Sequence, residues 1–131
     1  MNKINPPTFD KVKARKIAQD NIALLSSREK IEASEKVCEQ LRTIIEQIQP
    51  HTIITYKALS DEVDISSLIH VFPALSIITV DQDGSFLEFT DDIKVLALIP
   101  GRAFTQNGKR IGRGSGYYDN FIAEHPKMKT V

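Results

Sequence analysis

Apolar side chains recur at helical spacing over the first third of the chain and gather into short, strand-like runs afterwards. Between Asp10 and about Leu25, Ala14, Ile17, Ala18 and Leu25 can share one face, which predicts a first helix. Ser26 or Ser27 then caps a second helix. Glu29, three residues after Ser26, completes a capping-box pattern, in which hydroxyl and carboxylate each accept from a backbone N–H left over at the helix start. Ile31, Val37, Cys38, Leu41, Ile44, Ile45 and Ile48 form its apolar stripe, and Pro50 stops it.

Thr52–Tyr56 is a β-branched run and reads as a strand. A loop with Ser60, Asp61 and Glu62 follows, and Asp64 is placed to cap a short helix through Leu68 and Ile69. Leu75–Val80 reads as a second strand, and Asp83-Gly84 leads into Phe86–Phe89 as a hairpin would. Val95–Ile99 is continuously apolar, the mark of a strand buried on both faces, and Pro100-Gly101 closes it. A long loop and a last helix, Tyr117 to about His125, complete the order. The expected fold is therefore α/β: one domain over residues 10–131, three-layer-like, with a central, mostly parallel sheet flanked by helices. Residues 1–9, with Pro6 and Pro7, form a flexible lead-in. In such sheets ligands bind beyond the carboxyl ends of the strands, so the loop after Val95–Ile99 is the first place to look for a site.

Composition narrows the function classes. Lys plus Arg equal Asp plus Glu at 17 each in 131 residues, so no net field draws the chain to nucleic acid or to a membrane. Cys38 is the only cysteine, which excludes an internal disulfide and a multi-cysteine zinc site and suits a buried, inert thiol. No signal-peptide pattern and no apolar window of membrane-spanning length is present, so the cytoplasm is the expected location, as a monomer or weak homo-oligomer.

Local chemistry concentrates in one loop. Five of the six glycines lie between Gly101 and Gly116, together with Arg102, Lys109, Arg110 and Arg113. Gly112, Gly114 and Gly116 alternate just ahead of the last helix. Closely spaced glycines let backbone N–H groups converge on a phosphate without Cβ obstruction, while a helix N-terminus and guanidinium groups add positive charge. Asp119 is placed to hold a magnesium ion against such phosphates, or simply to complement the helix dipole. The first helix is odd in the same sense. Lys11, Lys13, Arg15 and Lys16 crowd its opening turns, where cations oppose the macrodipole unless an anion docks nearby.

The stretch Arg110-Ile-Gly-Arg-Gly-Ser-Gly-Tyr-Tyr-Asp119, preceded by Leu98-Ile-Pro-Gly-Arg-Ala-Phe104 and Asn107-Gly108, resembles the signature of the 5-formyltetrahydrofolate cyclo-ligase (methenyltetrahydrofolate synthetase) family. Two shorter segments agree in order. Lys11-Val-Lys-Ala-Arg15, with Ala23-Leu-Leu-Ser26 and Ser34 after it, looks like the family's N-terminal helix. Asp61-Glu62-Val63-Asp64 looks like its segment after the first strand. The resemblance implies cyclisation of 5-formyltetrahydrofolate to 5,10-methenyltetrahydrofolate with ATP and Mg²⁺, the formyl oxygen being phosphorylated and then displaced by a neighbouring folate nitrogen. By position it implies that Lys11 and Arg15 contact ATP phosphates. Arg110, Gly112, Arg113, Gly114, Ser115, Gly116, Tyr117 and Tyr118 would form the nucleotide loop, with Arg110 and Arg113 catalytic. Glu62, Arg113 and Tyr117 would face the reduced folate, and Asp119 would bind Mg²⁺.

The chain departs from the family pattern at Ser115, where relatives often carry Gly or Lys. It is also shorter between Glu62 and Leu98, and it stops at Val131 just as Lys129-Thr-Val131 resembles the opening of a further strand. The fold is thus expected to be truncated relative to the family, with catalysis reduced or absent. The alternatives are a relative that binds nucleotide or another phosphate ligand without chemistry, and an RNA-associated role for Arg102, Lys109, Arg110 and Arg113, which the zero net charge disfavours.

Overall fold

A computed structural model of the chain describes residues 10–80, 94–112 and 116–131. The lead-in, the Asp83-Gly84 hairpin and residues 113–115 of the glycine loop lie outside the described residues. Helix α1 spans Lys11–Ala23, and Asp10 caps it by accepting from the amides of Val12 and Lys13. Helix α2 spans Ser27–Ile48 and opens on the expected capping box between Ser26 and Glu29. Strand β1 (Thr52–Tyr56), helix α3 (Ser66–Ile69), strands β2 (Ser76–Val80) and β3 (Val95–Ala97), short strands β4 (Ala103–Phe104) and β5 (Arg110–Ile111), helix α4 (Tyr117–Glu124) and strand β6 (Lys129–Thr130) follow.

The sheet order is β2-β1-β3-β6, and every pairing in it is parallel. Period-two alternation along β3 sends Leu96 and Leu98 to one face and Val95, Ala97 and Ile99 to the other. On the first face Cys38, Leu41 and Ile45 of α2 and Leu68 of α3 cover the sheet together with Ile53. On the second, Tyr118 and Phe121 of α4 pack with Ile54, Val80 and Met128. Helices on both sides of a parallel sheet make three layers, as expected. Ile45, Ile54, Ile65, Leu96 and Val80 are the most completely enclosed side chains, each contributing about 1.5–3 kcal/mol of transfer free energy. The Lys94 ammonium donates to the Ile48 carbonyl at the C-terminal end of α2, while its backbone N–H donates to His51 Nδ1.

Two expectations are corrected. Ile17 and Leu25 do not form a buried stripe on α1. Ile17 is 51% exposed, Leu25 lies past the helix end, and no α1 residue is fully buried. The helix instead rests on β4 and β5 through its half-buried Ala14, Arg15, Ala18 and Ile22, a face too small in side-chain volume to register as a core stripe. Ile31, assigned to the α2 stripe, is 59% exposed, and the buried residues of α2 begin only at Cys38. No helix among the described residues is long and apolar enough to cross a membrane.

Candidate functional site

The irregular loop expected after β3 is partly regular. Phe104 pairs with Arg110 and Ala103 with Ile111 as an antiparallel hairpin, tightened by Thr105 N–H to Lys109 O at 2.8 Å and a turn through Gly108. The backbone of Arg110 and Ile111 therefore belongs to a ladder. This is a correction to the idea of a wholly open loop. Each strand of the hairpin is two residues long, too short for a sequence period to announce it.

The hairpin delivers Arg110 to the centre of the site. Its Nε donates to the Pro100 carbonyl, its Nη1 to Asp119 Oδ1 at 3.2 Å, and its Cζ lies 5.2 Å from the centroid of the Tyr118 ring, within cation–π range. The guanidinium folds back so closely that a Cβ on Gly112 would meet its Nη2 at 2.6 Å, so any side chain there would displace the Arg110 head. Burial lowers the Arg110 pKa, countered by Asp119 and, further off, Glu62.

A second guanidinium reaches the same point from the other end of the chain. Arg15 Nε donates to the Gly112 carbonyl at 2.8 Å. Two cations thus flank Gly112 directly ahead of Gly116, which adopts the left-handed conformation (φ 72°) and caps α4. Lys11 lies one helical turn before Arg15 on the same side of α1, exposed to solvent. The N–H groups of the first turn of α4 are contributed by Tyr117, Tyr118 and Asp119. Arg15, Arg110, Gly112, Gly116, Tyr117, Tyr118 and Asp119 are thus brought to one end of the sheet, whereas Arg113, Gly114 and Ser115 lie outside the described residues.

Tyr118 underlies this cluster. Its ring is buried, meets Tyr117 edge-on at 5.0 Å, and its hydroxyl is enclosed without a hydrogen-bond partner among the described residues. Burial pushes its pKa up to about 12, with Glu62 and Tyr117 adding to the shift and Arg110 opposing it. Asp119 is 68% exposed apart from its contact with Arg110. Among the described residues no group of three or more metal-ligating side chains converges.

Glu62 occupies the adjoining loop, residues 57–65, at the carboxyl end of β1. Its carboxylate accepts from the Leu59 N–H at 2.9 Å while its own N–H donates to the Leu59 carbonyl, a reciprocal turn that fixes its direction. Electrostatically it acts on Tyr56, Tyr118 and Arg110. Glu62 also lines a cavity of about 450 Å³ with Lys30, Ile31 and Ser34 of α2 and Ser66 and Ser67 of α3. The cavity wall is pinned by Asp64 N–H to Ser34 Oγ at 3.0 Å and Tyr56 OH to Val63 O at 2.8 Å. Exposed Ile31, which failed as a core residue, gives this cavity an apolar surface. Sequence reasoning missed a further pair: Arg102 Nη2 lies 3.1 Å from Asp61 Oδ2, tying the hairpin to the Glu62 loop. Nothing local in the sequence could have joined residues so far apart.

Residues 86–131 match the model of the 5-formyltetrahydrofolate cyclo-ligase family, so the resemblance expected from the glycine loop is borne out over the C-terminal third of the chain. Two solved structures share the fold. A 5,10-methenyltetrahydrofolate synthetase from Mycoplasma pneumoniae superposes with a TM-score of 0.75 at 22% identity, over 92% of this chain and 82% of its own. A 5,10-methenyltetrahydrofolate synthetase from Aquifex aeolicus gives 0.67 at 23% identity, over 92% and 74%. No curated protein sequence matches the chain.

Proposed function

We propose that this chain, whose C-terminal third bears the 5-formyltetrahydrofolate cyclo-ligase pattern, converts 5-formyltetrahydrofolate into 5,10-methenyltetrahydrofolate with ATP and Mg²⁺. The observation supporting it most directly is the convergence of Arg15 and Arg110 on Gly112, ahead of the first turn of α4. Two guanidinium groups, a glycine packed under one of them and a helix N-terminus suit the phosphates of a nucleotide. Asp119 suits Mg²⁺ as one protein ligand, the rest of the shell coming from phosphates and water, and the ion would neutralise phosphate charge.

In this reading the formyl oxygen attacks the γ-phosphorus and ADP departs. A neighbouring folate nitrogen then attacks the activated formyl carbon, and phosphate leaves with the oxygen. The protein's work is placement and charge compensation. Arg110, joined by Arg113, would neutralise the transferring group; Lys11, Arg15, Gly112, Gly114, Ser115 and Gly116 would hold the nucleotide; Glu62, Arg113 and Tyr117 would orient the reduced folate. The cavity beside Glu62 supplies both an apolar wall at Ile31 and hydrogen-bonding serines for such a ring.

A second reading has one observation in its favour. Asp119 already spends its carboxylate on Arg110, so a relative that binds nucleotide without chemistry would keep this ion pair closed. Absorbance of methenyltetrahydrofolate, followed with ATP, Mg²⁺ and 5-formyltetrahydrofolate, separates the two: ATP-dependent product supports the cyclo-ligase. Calorimetric ATP binding without product leaves the binding-only relative.

A further inference from the structure

We propose that Arg102 is a positioning residue that holds the Glu62 loop in its binding-competent place and thereby sets the site's affinity for the reduced folate. The inference rests on the reading above for the identity of that ligand, and on a different set of contacts for the latch itself. Arg102 sits where the chain leaves β3 for the hairpin, and its backbone N–H donates to the Ile111 carbonyl at 2.8 Å, so its stem is fixed to β5. From there its guanidinium meets Asp61, with side-chain exposures of 15% and 24%.

Stability alone is a poor reason for such a pair. Two half-dehydrated charges return little net free energy, and here Arg102 Nη1 is enclosed with no partner among the described residues, an added cost. The pair does, however, join two separate segments of the chain. The far end of the loop is fastened elsewhere: Tyr56 holds Val63, Ser34 holds the Asp64 amide, and the Cys38 thiol meets the Asp64 carbonyl. The stretch bearing Glu62 has, besides its internal turn with Leu59, the Arg102–Asp61 bridge as its described tie to the hairpin. Because the same hairpin carries Arg110, this bridge sets the spacing between the Glu62 carboxylate and the guanidinium beside Gly112.

The test uses Arg102→Met, which keeps the stem and removes the charge, and Arg102→Lys, which restores a cation. Per-residue amide exchange by NMR gives a readout independent of any ligand. In Arg102→Met the Leu59 and Glu62 amides should exchange at least roughly tenfold faster while the Asp64 and Ser66 amides stay as they were. Calorimetry should show 5-formyltetrahydrofolate binding weakened by roughly tenfold and a non-hydrolysable ATP analogue affected by less than about twofold, with Arg102→Lys recovering most of both effects. Unchanged exchange at Leu59 and Glu62 overturns the latch, as does a uniform rise across the loop or a matched loss of both affinities. If the unmutated chain binds no reduced folate, the functional reading fails, and the exchange pattern alone decides whether Arg102 fixes the loop.

Discussion

A methyl group at position 112 would collide with the Arg110 guanidinium, which itself bridges Asp119 and Tyr118. Gly112→Ala is therefore expected to push Arg110 out of the site and weaken ATP binding by roughly tenfold or more, with a smaller effect on melting temperature, because the displaced group is the end of a flexible side chain. Calorimetry beside thermal unfolding checks this; unchanged affinity would mean that Arg110 does not face the nucleotide. Tyr118→Phe removes a hydroxyl that is enclosed without a partner among the described residues. The folded protein should hold its stability or gain up to about 1 kcal/mol in urea unfolding, since no hydrogen bond among the described residues is lost and a desolvation penalty is relieved. Of the residues at this site, those joined by local pattern were legible in sequence. Arg110, Gly112 and Asp119 lie within one short stretch whose glycine spacing has few other uses. Arg102 and Asp61 carried no such mark, because an ion pair between distant loops leaves no trace in spacing.

Among the elements, α2 was the plainest in sequence. Its caps and its buried Cys38, Leu41 and Ile45 follow from serine, glutamate and helical period. Ser26→Ala removes the hydroxyl that accepts from the Glu29 N–H, leaving the reciprocal Ser26 N–H to Glu29 bond, and should cost about 1 kcal/mol, read as a lowered urea midpoint with an unchanged slope. A loss much below that would mean the helix end is held by packing instead. Helix α1 was legible as a helix, but its apolar face was misassigned. Its conspicuous side chains, Val12 and Ile17, face solvent, and the contact that matters is polar: Arg15 on the Gly112 carbonyl. The β4–β5 hairpin escaped detection altogether, since two-residue strands are too short for any period to show. Strand β3, by contrast, announced itself through an unbroken apolar run, which only a strand covered on both faces requires.

For the whole molecule, the parallel sheet directs the loops after β1 and β3 to one edge, and Glu62 and Arg110, proposed to face folate and phosphate, are drawn together there by that topology. The same enclosure predicts an alkaline limit. Burial raises the pKa of Tyr118 to about 12 and pushes Tyr56 higher still, against an ordinary value of 10.0. Between these values the unfolded chain has lost phenolic protons that the folded one retains, so stability falls as pH rises from 10 toward 12 and is unaffected by these groups below 10. Urea unfolding near pH 9 and near pH 11 measures the slope, and Tyr118→Phe should make it shallower. An equal slope in the variant would place that proton elsewhere.

The most direct test of the account is the rate of methenyltetrahydrofolate formation, by absorbance, for the unmutated chain and Arg110→Met under saturating 5-formyltetrahydrofolate, ATP and Mg²⁺. The account predicts ATP-dependent product from the former and a loss of roughly a hundredfold or more in the latter, as expected when a charge-neutralising donor is removed from a transferring phosphoryl group. Product that forms equally well without ATP, or equal rates for the two proteins, would contradict it.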